Sequence, residues 1–166
     1  MNILFSRRIF ALALSVYLAV TLFAAFSPAR TTHAATAHAA GCANHDMGRG
    51  TTWNPGQSTS WTTCSGFPIR LTYQTDGNFV LYINNTPQWN SGSNDVTAAP
   101  YYVQFQTDGN LVVYGKLRIN NSRRSQWASN TPNQGATTLA LQGDGNLVIY
   151  TSSGHALWAS NTCCWT

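Results

Sequence analysis

One nine-residue phrase is written three times in this chain: Gln74-Thr75-Asp76-Gly77-Asn78-Phe79-Val80-Leu81-Tyr82, then Gln106 to Tyr114, then Gln142 to Tyr150. Gln, Asp, Asn, Val and Tyr recur at alternate positions of each copy. An ionised Asp only accepts hydrogen bonds, amides donate and accept, and a phenol does either, so the set can match the adjacent hydroxyls of a sugar ring. The Val methyls suit the ring's apolar C–H patch. The plainer reading is that Asp-Gly-Asn is turn chemistry and Tyr a half-buried strand residue. That accounts for one or two positions in each copy, not for five in triplicate.

The flanking residues show what must position this set. In the third copy Leu139, Leu141, Leu147 and Ile149 hold one parity and Gln142, Asp144, Asn146, Val148 and Tyr150 the other, the alternation of a half-buried strand. The first copy repeats it with Leu71, Tyr73, Phe79, Leu81 and Ile83 in the core, the second with Val103, Phe105, Leu111 and Val113. A single extended strand would separate Gln from Tyr by about 27 Å at roughly 3.3 Å per residue, too far for one sugar. The strand must therefore reverse, and Asp-Gly supplies the turn. Parity selects an odd-numbered loop, expected to centre on Gly77 and to set Gln74 opposite Val80.

The copies begin 32 and 36 residues apart, the spacing of similar modules sharing one core. Each is followed by an echo, Trp89-Asn90-Ser91-Gly92, Trp127-Ala128-Ser129-Asn130 and Trp158-Ala159-Ser160-Asn161. One large aromatic per repeat is what a threefold array needs to fill its axis, so these tryptophans are expected in the core rather than on sugar. Trp53, Trp61 and Trp165 have no repeat partners.

Residues 1–39 read as a leader. Arg7 and Arg8 precede an apolar run from Ile9 to Phe26, and an Ala-rich tract with small-x-small sites such as Ala37-His38-Ala39 follows, the layout of a signal peptide. The expectation is a secreted, extracellular protein without stable membrane insertion after processing. Ser6-Arg7-Arg8-Ile9-Phe10 also resembles a twin-arginine signal, and Ala40-Gly41-Cys42 faintly a lipoprotein box. Removing the leader takes three of the nine basic residues, leaving six against five Asp, a net of +1. Four of the six fall within Lys116 to Arg124, a cluster that could attract phosphate or an anionic surface but is read as a solvated hairpin tip. Nothing in this balance calls for a nucleic-acid partner.

Residues 40–166 make one domain. The chain has no Glu, and three of its five Asp are the single acid of a repeated phrase. A glycosidase normally needs two carboxylates at one site, and only His45 and His155 remain beyond the leader for a triad. An enzyme is therefore not expected, nor a cofactor or metal. Cys42, Cys64, Cys163 and Cys164 form an even set in an exported chain, read as two disulfides. The Cα atoms of neighbours lie only about 3.8 Å apart, so the expectation is that Cys163 and Cys164 are stapled to the N-terminal segment.

The phrase Gln-x-Asp-x-Asn-x-Val-x-Tyr, three times in the domain, resembles the bulb-type (monocot) mannose-binding lectins. The resemblance implies an all-β fold, the β-prism II, with three antiparallel four-stranded sheets around a pseudo-threefold axis and tryptophans at its centre. It further implies mannose-containing glycans as partners. Asp and Asn would bind O2, Gln O3 and Tyr O4, with Val on the ring. Carried over by position, the sites are Gln74, Asp76, Asn78, Val80 and Tyr82; Gln106, Asp108, Asn110, Val112 and Tyr114; and Gln142, Asp144, Asn146, Val148 and Tyr150. No Cys lies between Cys64 and Cys163, where plant members usually carry a disulfide, and the Cys163-Cys164-Trp165-Thr166 ending is unusual. That ending counts against dimerisation by C-terminal strand exchange and leaves homodimerisation otherwise open. The bacterial look of the leader adds a second functional reading, a lectin-like bacteriocin or toxin directed at surface polysaccharide.

Overall fold

The structure is a computed structural model, described here for residues 42–164. The leader read over residues 1–39, and Trp165 with Thr166, lie outside the described residues. Twelve strands follow in chain order: β1 His45–Gly48, β2 Thr52–Trp53, β3 Ser58–Thr62, β4 Pro68–Tyr73, β5 Phe79–Ile83, β6 Thr86–Asn90, β7 Ala98–Phe105, β8 Leu111–Leu117, β9 Arg123–Ala128, β10 Ala136–Leu141, β11 Leu147–Thr151 and β12 Ala156–Ala159. They form three antiparallel four-stranded sheets in the orders β3-β4-β5-β6, β2-β7-β8-β9 and β1-β10-β11-β12. The first three strands are thus dealt out one to each sheet, and each sheet is completed by this chain's own strands.

Alternation decides the packing. Leu71, Tyr73, Phe79, Leu81 and Ile83 of the first sheet, Val103, Phe105, Leu111 and Val113 of the second, and Leu139, Leu141, Leu147 and Ile149 of the third are all fully buried in one cluster. Trp89, Trp127 and Trp158 pack against that cluster, their ring centroids 5.2, 5.4 and 5.5 Å apart, each pair edge-to-face, the arrangement aromatic quadrupoles prefer. Each reaches the interior through a β-bulge: the register shifts between Leu81 and Tyr82, between Val113 and Tyr114, and between Ile149 and Tyr150. An extra residue in the last strand of each sheet sets Trp opposite a core residue. Of the two tryptophans given no place from sequence within the described residues, Trp53 is a core residue and Trp61 packs on the core, donating its indole N–H to the Ala43 carbonyl.

The disulfide expectation is corrected. Cys42 is bonded to Cys64, with Cα atoms 5.4 Å apart, and Cys163 and Cys164 are free. Pairing of β1 with β10 carries Cys42 to the end of the β10–β11 hairpin, where the Cys64 backbone N–H donates to the Gly143 carbonyl. A Cβ at Gly143 would lie 2.8 Å from the Cys64 sulfur and 3.1 Å from the Cys42 Cβ, so only glycine leaves room for the bridge. The Cys163 thiol is pushed up to about 11, chiefly by its hydrogen bond with Cys164 and then by burial, which makes it a poor nucleophile at neutral pH. The bridge spans 22 residues rather than the roughly 100 expected. By chain entropy it contributes about 3 kcal/mol. Cys42→Ala with Cys64→Ala should lower the unfolding free energy by about that much, whereas Cys163→Ala should leave it within about 0.5 kcal/mol. Urea titrations of the two variants check this; equal effects would refute the bridge's role.

Candidate functional site

Each phrase closes a hairpin at the end of its sheet. The Gln74 N–H donates to the Asn78 carbonyl and the Gly77 N–H to the Gln74 carbonyl, and the same two bonds recur at Gln106 with Asn110 and Gly109 and at Gln142 with Asn146 and Gly145. The loop is therefore odd-numbered, as expected, but is centred on Asp76 rather than Gly77. Gln74 stands opposite Asn78, and the residue opposite Val80 is Thr72. Gly77, Gly109 and Gly145 take left-handed φ of 93, 84 and 91°, giving the three-residue loop with a left-handed glycine that a hairpin favours. At Gly109 a Cβ would also come within 2.6 Å of the Ala136 Cβ.

Within the turn, one oxygen of each Asp is used to build it. Oδ1 of Asp76, Asp108 and Asp144 accepts the backbone N–H of Asn78, Asn110 and Asn146, at 2.9 Å every time. Among the described residues the other carboxylate oxygen has no bond of this kind. Gln donates from Nε2 to the Tyr hydroxyl across the sheet surface, at 2.7 Å for Gln74 and Tyr82, 3.0 Å for Gln106 and Tyr114, and 2.9 Å for Gln142 and Tyr150. Val80, Val112 and Val148, between Asn and Tyr on that face, are only 3, 2 and 1% exposed. Each Val therefore offers a ligand little beyond a methyl tip.

Sequence reasoning missed the residues that aim the asparagine. Asn78 Oδ1 accepts from the Ser91 hydroxyl at 3.2 Å and the Ser93 N–H at 3.4 Å; Asn110 Oδ1 from Ser129 and Thr131 at 3.0 and 3.2 Å; Asn146 Oδ1 from Ser160 and Thr162 at 3.0 and 3.3 Å. The same serines accept the N–H groups of Phe79, Leu111 and Leu147, and the second hydroxyls, on Ser93, Thr131 and Thr162, donate to the Gly77, Gly109 and Gly145 carbonyls at 2.7 Å. With its oxygen taken by this scaffold, each Asn keeps its Nδ2 hydrogens for other acceptors. The signal was in the echo: Trp-x-Ser is followed by Gly92, Asn130 or Asn161, whose left-handed φ of 63, 58 and 58° turns the chain, and then by Ser or Thr.

The sites share this frame and differ in cover. In the third, Gln142 and Asn146 are buried, and the Oε1 of Gln142 has no donor among the described residues. Burial raises the Tyr150 hydroxyl above the usual phenol range, against the Gln142 hydrogen bond that lowers it, with the Asp144 and Asp46 charges adding to the rise. Tyr150 is therefore neutral at physiological pH. In the first site Asn78 Nδ2 lies 3.5 Å from Asn90 Oδ1. At the corresponding places Ala128 and Ala159 stand beside Val112 and Val148, leaving the asparagines there no such acceptor.

Among solved structures, a protein of Gastrodia elata described with the monomeric monocot mannose-binding lectins is 37% identical, with 71% of this chain covering 97% of that one at a TM-score of 0.56. The chain belongs to the bulb-type mannose-binding lectin family. A lectin from Allium sativum is 32% identical, with 64% of this chain covering 93% of that one at a TM-score of 0.54. The mannose-specific agglutinin of snowdrop, Galanthus nivalis, complexed with methyl-α-D-mannoside, is 31% identical over 64% and 89% of the two chains at a TM-score of 0.51. No protein-family profile matches the chain, and no curated protein does. The three four-stranded sheets are the β-prism II of that family.

Proposed function

We propose that this protein binds mannose or terminal mannosides on polyvalent glycans, one residue at each repeat, through Gln, Asp, Asn and Tyr with Val beneath. The observation that carries the reading is the recurrence, three times over, of a scaffold that uses one oxygen of Asp and the oxygen of Asn internally. It leaves the second carboxylate oxygen and the amide N–H₂ of the second and third repeats uncommitted to the scaffold, while in the first the amide has only the long contact to Asn90. A pair of acceptor and donor suits a sugar hydroxyl, which both donates and accepts. The snowdrop relative, complexed with methyl-α-D-mannoside, supports mannose as the sugar.

A mannan-coated surface tests this directly. The protein should be retained, methyl-α-D-mannoside should elute it, and EDTA should change nothing, since among the described residues no three His, Cys, Asp or Glu side chains converge as a metal-holding group. Failure to bind mannan, or loss of binding on chelation, would refute the proposal.

A further inference from the structure

The three sites share a motif but not a charge. On the outer face of the first sheet Arg70 lies opposite Tyr82, its guanidinium carbon 4.5 Å from the centre of the Tyr82 ring. In the second, Arg123 stands 4.9 Å over the Tyr114 ring and donates to the Tyr102 hydroxyl at 2.8 Å, while Tyr102 itself lies opposite Tyr114. Lys116 is the next residue along that face and sits 4.1 Å over Tyr101. The segment read from sequence as a solvated hairpin tip thus runs its cations back to the second site. In the third, Thr138 occupies the place opposite Tyr150, and the strand beyond brings in Asp46, where the other two sites carry Ser58 and Thr52.

Among the described residues the salt bridge joins Arg124 to Asp95, at 3.8 Å, so Arg70 and Arg123 have no carboxylate partner. Counting each motif's Asp with the charged side chains on the outer strand faces named above, the first site is balanced, the second carries an extra positive charge, and the third has two negative charges and no cation; Arg49, whose guanidinium donates to the Thr107 carbonyl beside Asp108, adds to the positive charge of the second. Exposed charges are felt over about 8 Å at physiological salt, the scale of one or two sugar rings. A guanidinium forks onto carboxylate or phosphate oxygens, whereas two aspartates repel them.

We infer that the second site selects mannosides bearing an anionic substituent, phosphate or carboxylate, beside the edge of the sugar that meets the tyrosine, that the third selects neutral ones, and that the balanced first site accepts either. This rests on the mannose reading and adds a division of labour: a glycan surface that mixes neutral and acidic residues engages all three sites together.

The test isolates sites on the full domain. Asp76→Asn with Asp144→Asn leaves the second site; Asp76→Asn with Asp108→Asn leaves the third. Each variant is titrated with neutral mannan, phosphorylated mannan and a mannan bearing uronic acids. The second site alone should bind at least one acidic polymer about tenfold more tightly than the neutral one, the effect of one charge-assisted hydrogen bond, and the third should show the opposite order. Adding Arg123→Gln to the second-site variant, or raising salt to about 0.5 M, should bring its ratio near one. Equal ratios at the two isolated sites, or a preference untouched by both Arg123→Gln and salt, would overturn the inference while parental binding to neutral mannan still upheld the mannose reading. Loss of parental binding to all three polymers would overturn both.

Discussion

Replacing Asp76, Asp108 and Asp144 together by Asn is expected to abolish binding to a mannan surface while leaving the fold intact. Asn is the informative substitution because Oδ1 of each Asp already accepts a backbone N–H in the turn, a bond an Asn oxygen can still accept. What disappears is the charged acceptor presented to the sugar. A hydrogen bond to a charged group contributes about 1.5–3 kcal/mol, so each altered site should lose roughly ten- to a hundredfold in affinity. Three weak sites hold a polyvalent surface through effective concentration, which makes the single variants intermediate and the triple variant inactive. Surface plasmon resonance on immobilised mannan reads the binding and circular dichroism the fold. A folded triple variant that still held mannan as tightly as the parent would show that the repeated motif is not the binding site.

A large loss of stability should follow Trp89→Ala. Its ring meets Trp127 at 5.2 Å, Trp158 at 5.4 Å and Phe79 at 6.4 Å, so removing it opens a cavity at the place where all three sheets converge. Trp89 is partly buried against the core, so its truncation should cost about 3 kcal/mol, the low end of the range for large core aromatics and still a large share of the 5–15 kcal/mol that holds a typical domain together. Trp89→Phe should recover part of it. Urea unfolding should show a lower midpoint with an unchanged slope. A shift of less than about 1 kcal/mol would mean that the tryptophan triad is not the structural centre. Because Trp89 closes the same strand whose continuation supplies Ser91 and Ser93 to Asn78, weakened mannan binding by the first site should accompany the loss.

Much of this was legible in the residue order because it is periodic. Alternation of Leu71, Tyr73, Phe79 and Leu81 with Gln74, Asn78, Val80 and Tyr82 separates a core face from an outer face without reference to anything distant, and the same parity requires an odd-numbered turn. Three copies with one Trp each imply a shared axis, which the triad fills. The centre of the turn was misplaced by one residue, since parity is the same for loops centred on Asp76 or Gly77. The hydrogen bond of Gln74 to Asn78 distinguishes them.

What the tertiary structure decided depends on strands that meet from far apart in the chain. Cysteine count and the closeness of Cys163 to Cys164 suggested a staple between the two ends, but the pairing of β1 with β10 placed Cys42 beside Cys64 on a glycine that leaves space for both. The serines and threonines after each Trp had no visible partner in sequence, because the Asn they hold lies 13 to 21 residues away. The charges that distinguish the three sites are set in the same manner. Arg70, Arg123 and Asp46 lie outside the repeated phrases, on neighbouring strands, and only the register of those strands determines which charge stands beside which copy of the motif. A local pattern fixes which face a side chain takes; its neighbours on that face are fixed by long-range strand pairing, which alternation alone does not encode.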